Sequence, residues 1–322
     1  MYILLLIIGF IALLKGADWF VDGSSALASI CHIPGVIIGL TIVAFGTSAP
    51  ELAVSTVAAL SGSNEIALSN VVGSNIFNLL CVLGVCAVIR PLPVDDEINR
   101  RDFPVSILAT VFALFATCSP AFFSGRIRTA AMEDVVGMVN RLTGLALLFI
   151  FVCYMVFLII HAKKHPTEDP APEKTTVVKS LLLILVGIAC IVGGGQVVVL
   201  SAKEIARAFG MSETLIGLTI VAIGTSLPEL VTSIVASRKG ETAMAVGNAI
   251  GSNIFNLLFI LGISATIHPV SVNMASLCDM AILIGISSVT FIFGLSGKRI
   301  NRTEGIAMLL IYALDMVFAI RR

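Results

Sequence analysis

Charge is the scarcest ingredient of this 322-residue chain. Asp, Glu, Lys and Arg together make up 12% of it, against about 25% in an ordinary soluble domain. That shortage excludes a water-solvated globular surface. The 57% of apolar residues and the mean hydropathy of +1.04 leave lipid as the solvent. Formal net charge is zero, so the basic footprint of a nucleic-acid-binding protein is missing. The seven cysteines are odd in number and form no CxxC. They read as small hydrophobes in helix packing, which excludes a disulfide framework or a thiolate metal site. No Lys or Arg precedes the apolar run from Ile3 to Leu14, which argues against a cleaved signal peptide.

Against this background one segment is written twice. Gly39 to Leu52 reads GLTIVAFGTSAPEL and Gly217 to Leu230 reads GLTIVAIGTSLPEL, with 12 of 14 positions identical at an offset of 178. The same offset aligns Asn70 to Gly84 (NVVGSNIFNLLCVLG) with Asn248 to Gly262 (NAIGSNIFNLLFILG), where 11 of 15 match. An internal duplication that carries an acid into apolar sequence is the mark of a transporter with its site at the repeat interface.

Ten apolar spans are expected, at 2–27, 34–60, 66–89, 103–120, 143–162, 180–205, 213–237, 243–266, 276–295 and 304–320. The fold class is therefore all-α integral membrane. The organisation is a first five-helix repeat over 1–162, a cytoplasmic linker over 163–179 and a second five-helix repeat over 180–322. A unit with an odd number of spans, used twice, crosses the membrane in opposite directions, so the repeats are inverted. With the N-terminus outside, the cytoplasmic loops hold twelve Lys and Arg and the outer ones seven. This predicts a cytoplasmic (inner) membrane protein with both termini outside. The first repeat carries 17 extra residues within Ser119 to Leu142. There RIRTAAMEDVVGMVNRL is expected to form an amphipathic surface helix.

The chemistry lies in the repeated motifs. A carboxylate inside a span faces a cavity, an ion or a partner. Pro50 and Pro228, each just before a glutamate, remove a backbone donor and open the helix. Glu51 with Thr47 and Ser48, and Glu229 with Thr225 and Ser226, then present carboxylate, hydroxyl and carbonyl oxygens. In the second motif Ser74 and Asn78 share a helix face, as do Ser252 and Asn256. Asn75 and Asn253 fall on another face and read as interhelical hydrogen-bonding residues. The set contains no thiolate or imidazole, so it suits hard cations such as Ca²⁺ and Na⁺. Two glutamates balance one Ca²⁺ or two Na⁺. The bland alternative is that the repeats only pack helices and the two glutamates bond each other. No cofactor is expected; the expected partners are the transported ions and the bilayer, with the chain acting as a monomer.

GTSAPE with GSNIFN, and GTSLPE with GSNIFN, resemble the paired alpha-repeats of the calcium/cation antiporter superfamily, most closely its bacterial sodium/calcium exchanger branch. The likeness runs through the whole chain. It implies ten transmembrane helices, with the second, third, seventh and eighth as a core and the first and sixth sliding across it. It implies Na⁺-driven Ca²⁺ extrusion by alternating access. By position, Glu51 and Glu229 look like shared Ca²⁺ and Na⁺ ligands, and Thr47, Ser48, Thr225 and Ser226 like hydroxyl or carbonyl ligands. Ala44 and Ala222 match positions that give backbone carbonyls to Na⁺, and Ser74, Asn78, Ser252 and Asn256 complete the set. Some members carry Asp where this chain has Asn256, a difference that argues against K⁺ co-transport. Proton/calcium exchange is the alternative. An intramembrane protease is disfavoured by the oxygen-rich setting of the acids, and a channel by their capacity to trap a divalent ion.

Overall fold

The computed structural model describes residues 2–62, 64–123, 125–164, 176–210 and 222–321. The helices are α1 (Tyr2–Ile30), α2 (Gly35–Thr47), α3 (Ala49–Leu60), α4 (Ile66–Ile89), α5 (Phe103–Phe123), α6 (Arg141–Lys164), α7 (Val177–Ala208), α8 (Ala222–Thr225), α9 (Leu227–Lys239), α10 (Thr242–Ile267), α11 (Met274–Leu295) and α12 (Arg302–Arg321). Among the described residues eight helices are long and apolar enough to cross a membrane, and α2 with α3 makes a ninth. Of the expected seventh span, residues 213–221 lie outside the described residues, as do 165–175 of the linker.

Burial sorts the helices into layers. In the most apolar stretches of α4 and α10, 72% and 78% of residues are buried, against 11% in α12. The two motif-bearing helices are therefore innermost, and α12 presents its apolar side chains to lipid. Long helices α1 and α7 run antiparallel along each other. Gly16 allows their closest approach, since a Cβ there would lie 2.7 Å from Cys190 Cβ and 2.9 Å from the Gly187 carbonyl. Small residues at such crossings are how membrane helices gain packing energy without a hydrophobic drive.

The prolines act as expected. The chain bends by 50° between α2 and α3, at Ser48 (φ −81°, ψ 9°). Ser226 takes the same sparsely populated backbone conformation (φ −93°, ψ 7°) between α8 and α9. Pro50 and Pro228 lie in the first turn of α3 and α9, where a missing N–H is tolerated. Four wider π turns among the described residues were not legible in the sequence: Gly39–Val43 in α2, Ile98–Asp102 before α5, Asn78–Val82 in α4 and Phe255–Ile260 in α10. The last two follow or contain Asn78 and Asn256, and such turns concentrate at functional sites.

The expected amphipathic helix over 126–142 is corrected. The segment forms a short 3₁₀ turn at Arg126–Arg128 and a strand. The strands are β1 (Leu92–Pro93), β2 (Val135–Val139), β3 (Val270–Asn273) and β4 (Arg299–Ile300), paired antiparallel as β1–β4 and β2–β3. The run VVGMV is rich in β-branched valine and buries Val136 and Val139, with a register shift between Val135 and Gly137. Gly137 lets this strand lie on α5, because a Cβ there would lie 2.5 Å from the Thr117 carbonyl.

A polar bridge joins α1 to the α9–α10 turn. Lys239 Nζ donates to Asp22 at 2.6 Å and to the Asp18 carbonyl at 3.0 Å, and Ser25 donates to Glu241 at 2.6 Å. At the β1–β4 end Lys298 donates to Asp96 at 2.7 Å. That hydrogen bond holds the Asp96 carboxyl below its ordinary range, whereas burial, then the charges of Glu97 and Asp96, push Asp95 up.

Candidate ion-binding site

The breaks at Ser48 and Ser226 bring the two motif copies face to face. Glu51 and Glu229 open α3 and α9, and both are fully buried. Each carboxylate is held from both repeats. Oε1 of Glu51 accepts from Ser226 at 3.0 Å and Ser74 at 3.3 Å. Oε1 of Glu229 accepts from Ser48 at 2.8 Å and Ser252 at 3.4 Å. The two acids do not bond each other. Their second oxygens, Glu51 Oε2 and Glu229 Oε2, are buried without a partner among the described residues.

The asparagines repeat this reciprocity. Asn75 donates to the Asn253 carbonyl at 3.1 Å, and Asn253 donates to the Asn75 carbonyl at 3.2 Å. Their expected role in joining helices is therefore borne out. Asn78 donates to Asn253 Oδ1 at 3.2 Å and Asn256 to Asn75 Oδ1 at 3.0 Å. The oxygens left over, Asn78 Oδ1 and Asn256 Oδ1, are also buried and without a partner among the described residues. Each bond of one motif copy thus has its counterpart with the two copies exchanged.

Thr47 is buried beside these groups. Its hydroxyl has the Val43 carbonyl at 3.1 Å, the Ala44 carbonyl at 3.4 Å and Asn248 Oδ1 at 3.1 Å as acceptors. A single proton serves only one of them. The Ala44 carbonyl already receives the Ser48 N–H at 3.0 Å. Thr225 lines a cavity of about 290 Å³ with Pro50, Gln196 and Pro228. Ala222 begins α8.

Two residues absent from the expected set belong to this cluster. Asn70 Nδ2 donates to Ser55 Oγ at 2.9 Å and to the Glu51 carbonyl at 3.3 Å. Asn248 Nδ2 donates to Ser233 Oγ at 2.9 Å and to the Glu229 carbonyl at 3.5 Å. Their signal was available in the sequence: Asn70, Ser74 and Asn78 are four apart and share a face, as are Asn248, Ser252 and Asn256.

Unpartnered buried polar atoms are rare and call for an explanation. Here four of them are oxygens gathered on the motif helices, two from carboxylates and two from amides. Neither glutamate has a Lys, Arg or His partner among the described residues. No group of three His, Cys, Asp or Glu converges among those residues. A cation held here would meet two carboxylates and neutral oxygens, the donor set of a hard ion.

Comparison with known proteins places the chain among membrane proteins of one family. The family model described as sodium/calcium exchanger protein matches residues 1–160 and 179–321. The inner membrane protein YrbG of Escherichia coli is 35% identical over 88% of this chain and 86% of its own length. The sodium/calcium exchanger MaX1 of Methanosarcina acetivorans is 31% identical over 98% and 97%. The solved structure of the sodium-calcium exchanger NCX_Mj, soaked with 10 mM Na⁺ and zero Ca²⁺, superposes with a TM-score of 0.83 at 31% identity, over 98% of this chain and 99% of that one.

Proposed function

The chain belongs to the sodium/calcium exchanger protein family, a family of cation antiporters rather than enzymes, and from that premise we propose that it exchanges Na⁺ for Ca²⁺ across the inner membrane by alternating access. The observation that carries this reading is the set of four buried oxygens on Glu51, Glu229, Asn78 and Asn256 that have no partner among the described residues. Each would recover the free energy of a lost bond by coordinating a cation. Ser48, Ser74, Ser226 and Ser252 orient the carboxylates and, with Thr47 and Thr225, contribute neutral oxygens. Ala44 and Ala222 supply carbonyls to the smaller charge, Na⁺. Two carboxylates are neutralised by one Ca²⁺ or by two Na⁺, so the ions compete for one charge balance. That competition is what exchange requires.

Strand pairing supports ten crossings in two inverted repeats. Strands β2 and β3 pair, so their loops share a side of the membrane. Between them lie the full-length helices α6, α7 and α10, an odd number. A crossing that includes α8 and α9 would make the number even, as a shared side requires. The β1–β4 pairing imposes the same parity. In this reading the domain limits are 1–162, 163–179 and 180–322. The Lys and Arg balance puts both termini outside, with β1, β4 and Lys239 at the cytoplasmic side. In this reading α1 and α7 form one sliding unit that exposes the site alternately. The chain acts as a monomer and needs no cofactor.

The test is uptake of ⁴⁵Ca²⁺ into proteoliposomes loaded with Na⁺ and diluted into Na⁺-free buffer. Uptake is expected to require the outward Na⁺ gradient. Uptake driven only by a pH gradient would overturn Na⁺ coupling in favour of proton/calcium exchange.

A further inference from the structure

We propose that Asn75 and Asn253 are positioning residues that decide which end of the Asn78 and Asn256 amides faces the transported cation, an inference that rests on the exchanger reading above. A side-chain amide has a donor end and an acceptor end of nearly equal size, and its partners select between them. Here the selection is forced by backbone carbonyls, which can only accept. Asn75 Nδ2 lies 3.1 Å from the Asn253 carbonyl, and Asn253 Nδ2 lies 3.2 Å from the Asn75 carbonyl. Both NH₂ groups are thereby committed across the repeat interface, and each Oδ1 is turned the other way.

Those oxygens dictate the next pair. Asn256 lies 3.0 Å from Asn75 Oδ1 and Asn78 lies 3.2 Å from Asn253 Oδ1. Only an NH₂ end can face an acceptor, so Asn78 and Asn256 must turn their oxygens away from the interface. Both oxygens are then buried and without a partner among the described residues, on the helix faces shared with Ser74 and Ser252. A flip of either amide would set oxygen against oxygen at the interface and an NH₂ donor toward the cation. The four asparagines thus form a lock whose product is a pocket lined by acceptors. Asn75 and Asn253 act on the ion only through Asn256 and Asn78.

The test is Ca²⁺ binding to the purified full chain in Na⁺-free buffer, followed by isothermal titration calorimetry. Asn75→Ala and Asn253→Ala are each expected to weaken binding by roughly 10- to 100-fold, the usual effect of losing an outer-shell partner. The decisive readout is coupling. Asn75→Ala combined with Asn256→Ala is expected to bind no more weakly than Asn256→Ala alone, and likewise for Asn253 with Asn78. Additive losses within a pair, or unchanged affinity in both single variants, would overturn the positioning role. A merely structural role would lower thermal stability and add. Should the alanine variants fail to fold, the same cycles with Asn75→Ser and Asn253→Ser, whose hydroxyls are too short to span the interface, read the same coupling. A parent chain that binds neither Ca²⁺ nor Na⁺ would overturn the exchanger reading and this one with it. A parent that binds, with uncoupled variants, would overturn this one alone.

Discussion

Replacing Glu51 or Glu229 by glutamine keeps the shape of the side chain and removes one charge. Two unit charges about 4 Å apart interact by roughly 4 kcal/mol at an effective dielectric of about 20, and a divalent ion doubles that to roughly 8 kcal/mol. The glutamine oxygen retains part of the attraction. If about one third is lost, the change is roughly tenfold for each Na⁺ and roughly hundredfold for Ca²⁺, at about 1.4 kcal/mol per decade. The ratio is firmer than either value, because the retained fraction affects both ions alike. Free of cation, the same substitution removes a fully buried carboxylate that has no basic partner among the described residues. The variant should then melt no lower than the parent. Calorimetric titration with each ion, and thermal unfolding in chelated, Na⁺-free buffer, read the two halves. Equal free-energy losses for Na⁺ and Ca²⁺ would refute the charge argument. A lower melting temperature without cation would refute the burial argument. Retained Na⁺-driven Ca²⁺ flux in both variants would remove the glutamates from the site.

Three further outcomes are expected. Lys239→Ala breaks the bridge from the α9–α10 turn to Asp18 and Asp22; for a partly exposed pair this costs about 0.2–1 kcal/mol, so faster hydrogen exchange is expected in both segments at low salt and no difference at about 1 M salt. Gly251→Ala puts a Cβ 2.6 Å from Leu40 Cα and 2.8 Å from its carbonyl oxygen; backbone cannot rotate aside, so a loss of about 1–3 kcal/mol or more is expected as a lower Tm, and an unchanged Tm would contradict the close α2–α10 crossing. The lowered Asp96 pKa implies a Lys298 link that is fully present above the ordinary carboxylate value of 3.8 and lost as pH falls through the lowered one; Lys298→Ala should return Asp96 to its ordinary range in a pH titration.

The parts of this protein that were readable in one dimension share a local origin. Apolar runs of membrane length predicted α1 as 2–27 and α6 as 143–162, where the helices run from Tyr2 to Ile30 and from Arg141 to Lys164. Pro50 and Pro228 announced the breaks at Ser48 and Ser226 because a missing N–H acts within one turn. The duplication marked Glu51 and Glu229 because a copied acid in apolar sequence is visible by alignment alone. The segment 126–142 misled, since a short run such as VVGMV is helical or extended according to what it pairs with, and its partner β3 lies more than a hundred residues away.

Tertiary structure decided the rest. The sequence places Ser48 beside Glu51, yet its hydroxyl serves Glu229, 181 residues away, while Ser226 serves Glu51. It assigns Asn75 to an interface, yet cannot say that the Asn253 carbonyl on the far side orients it and so turns the oxygen of Asn256. Period and propensity describe one element at a time, whereas these bonds exist only where the two motif copies meet. The oxygens that stay unpartnered are therefore a property of the assembled repeats, not of either copy.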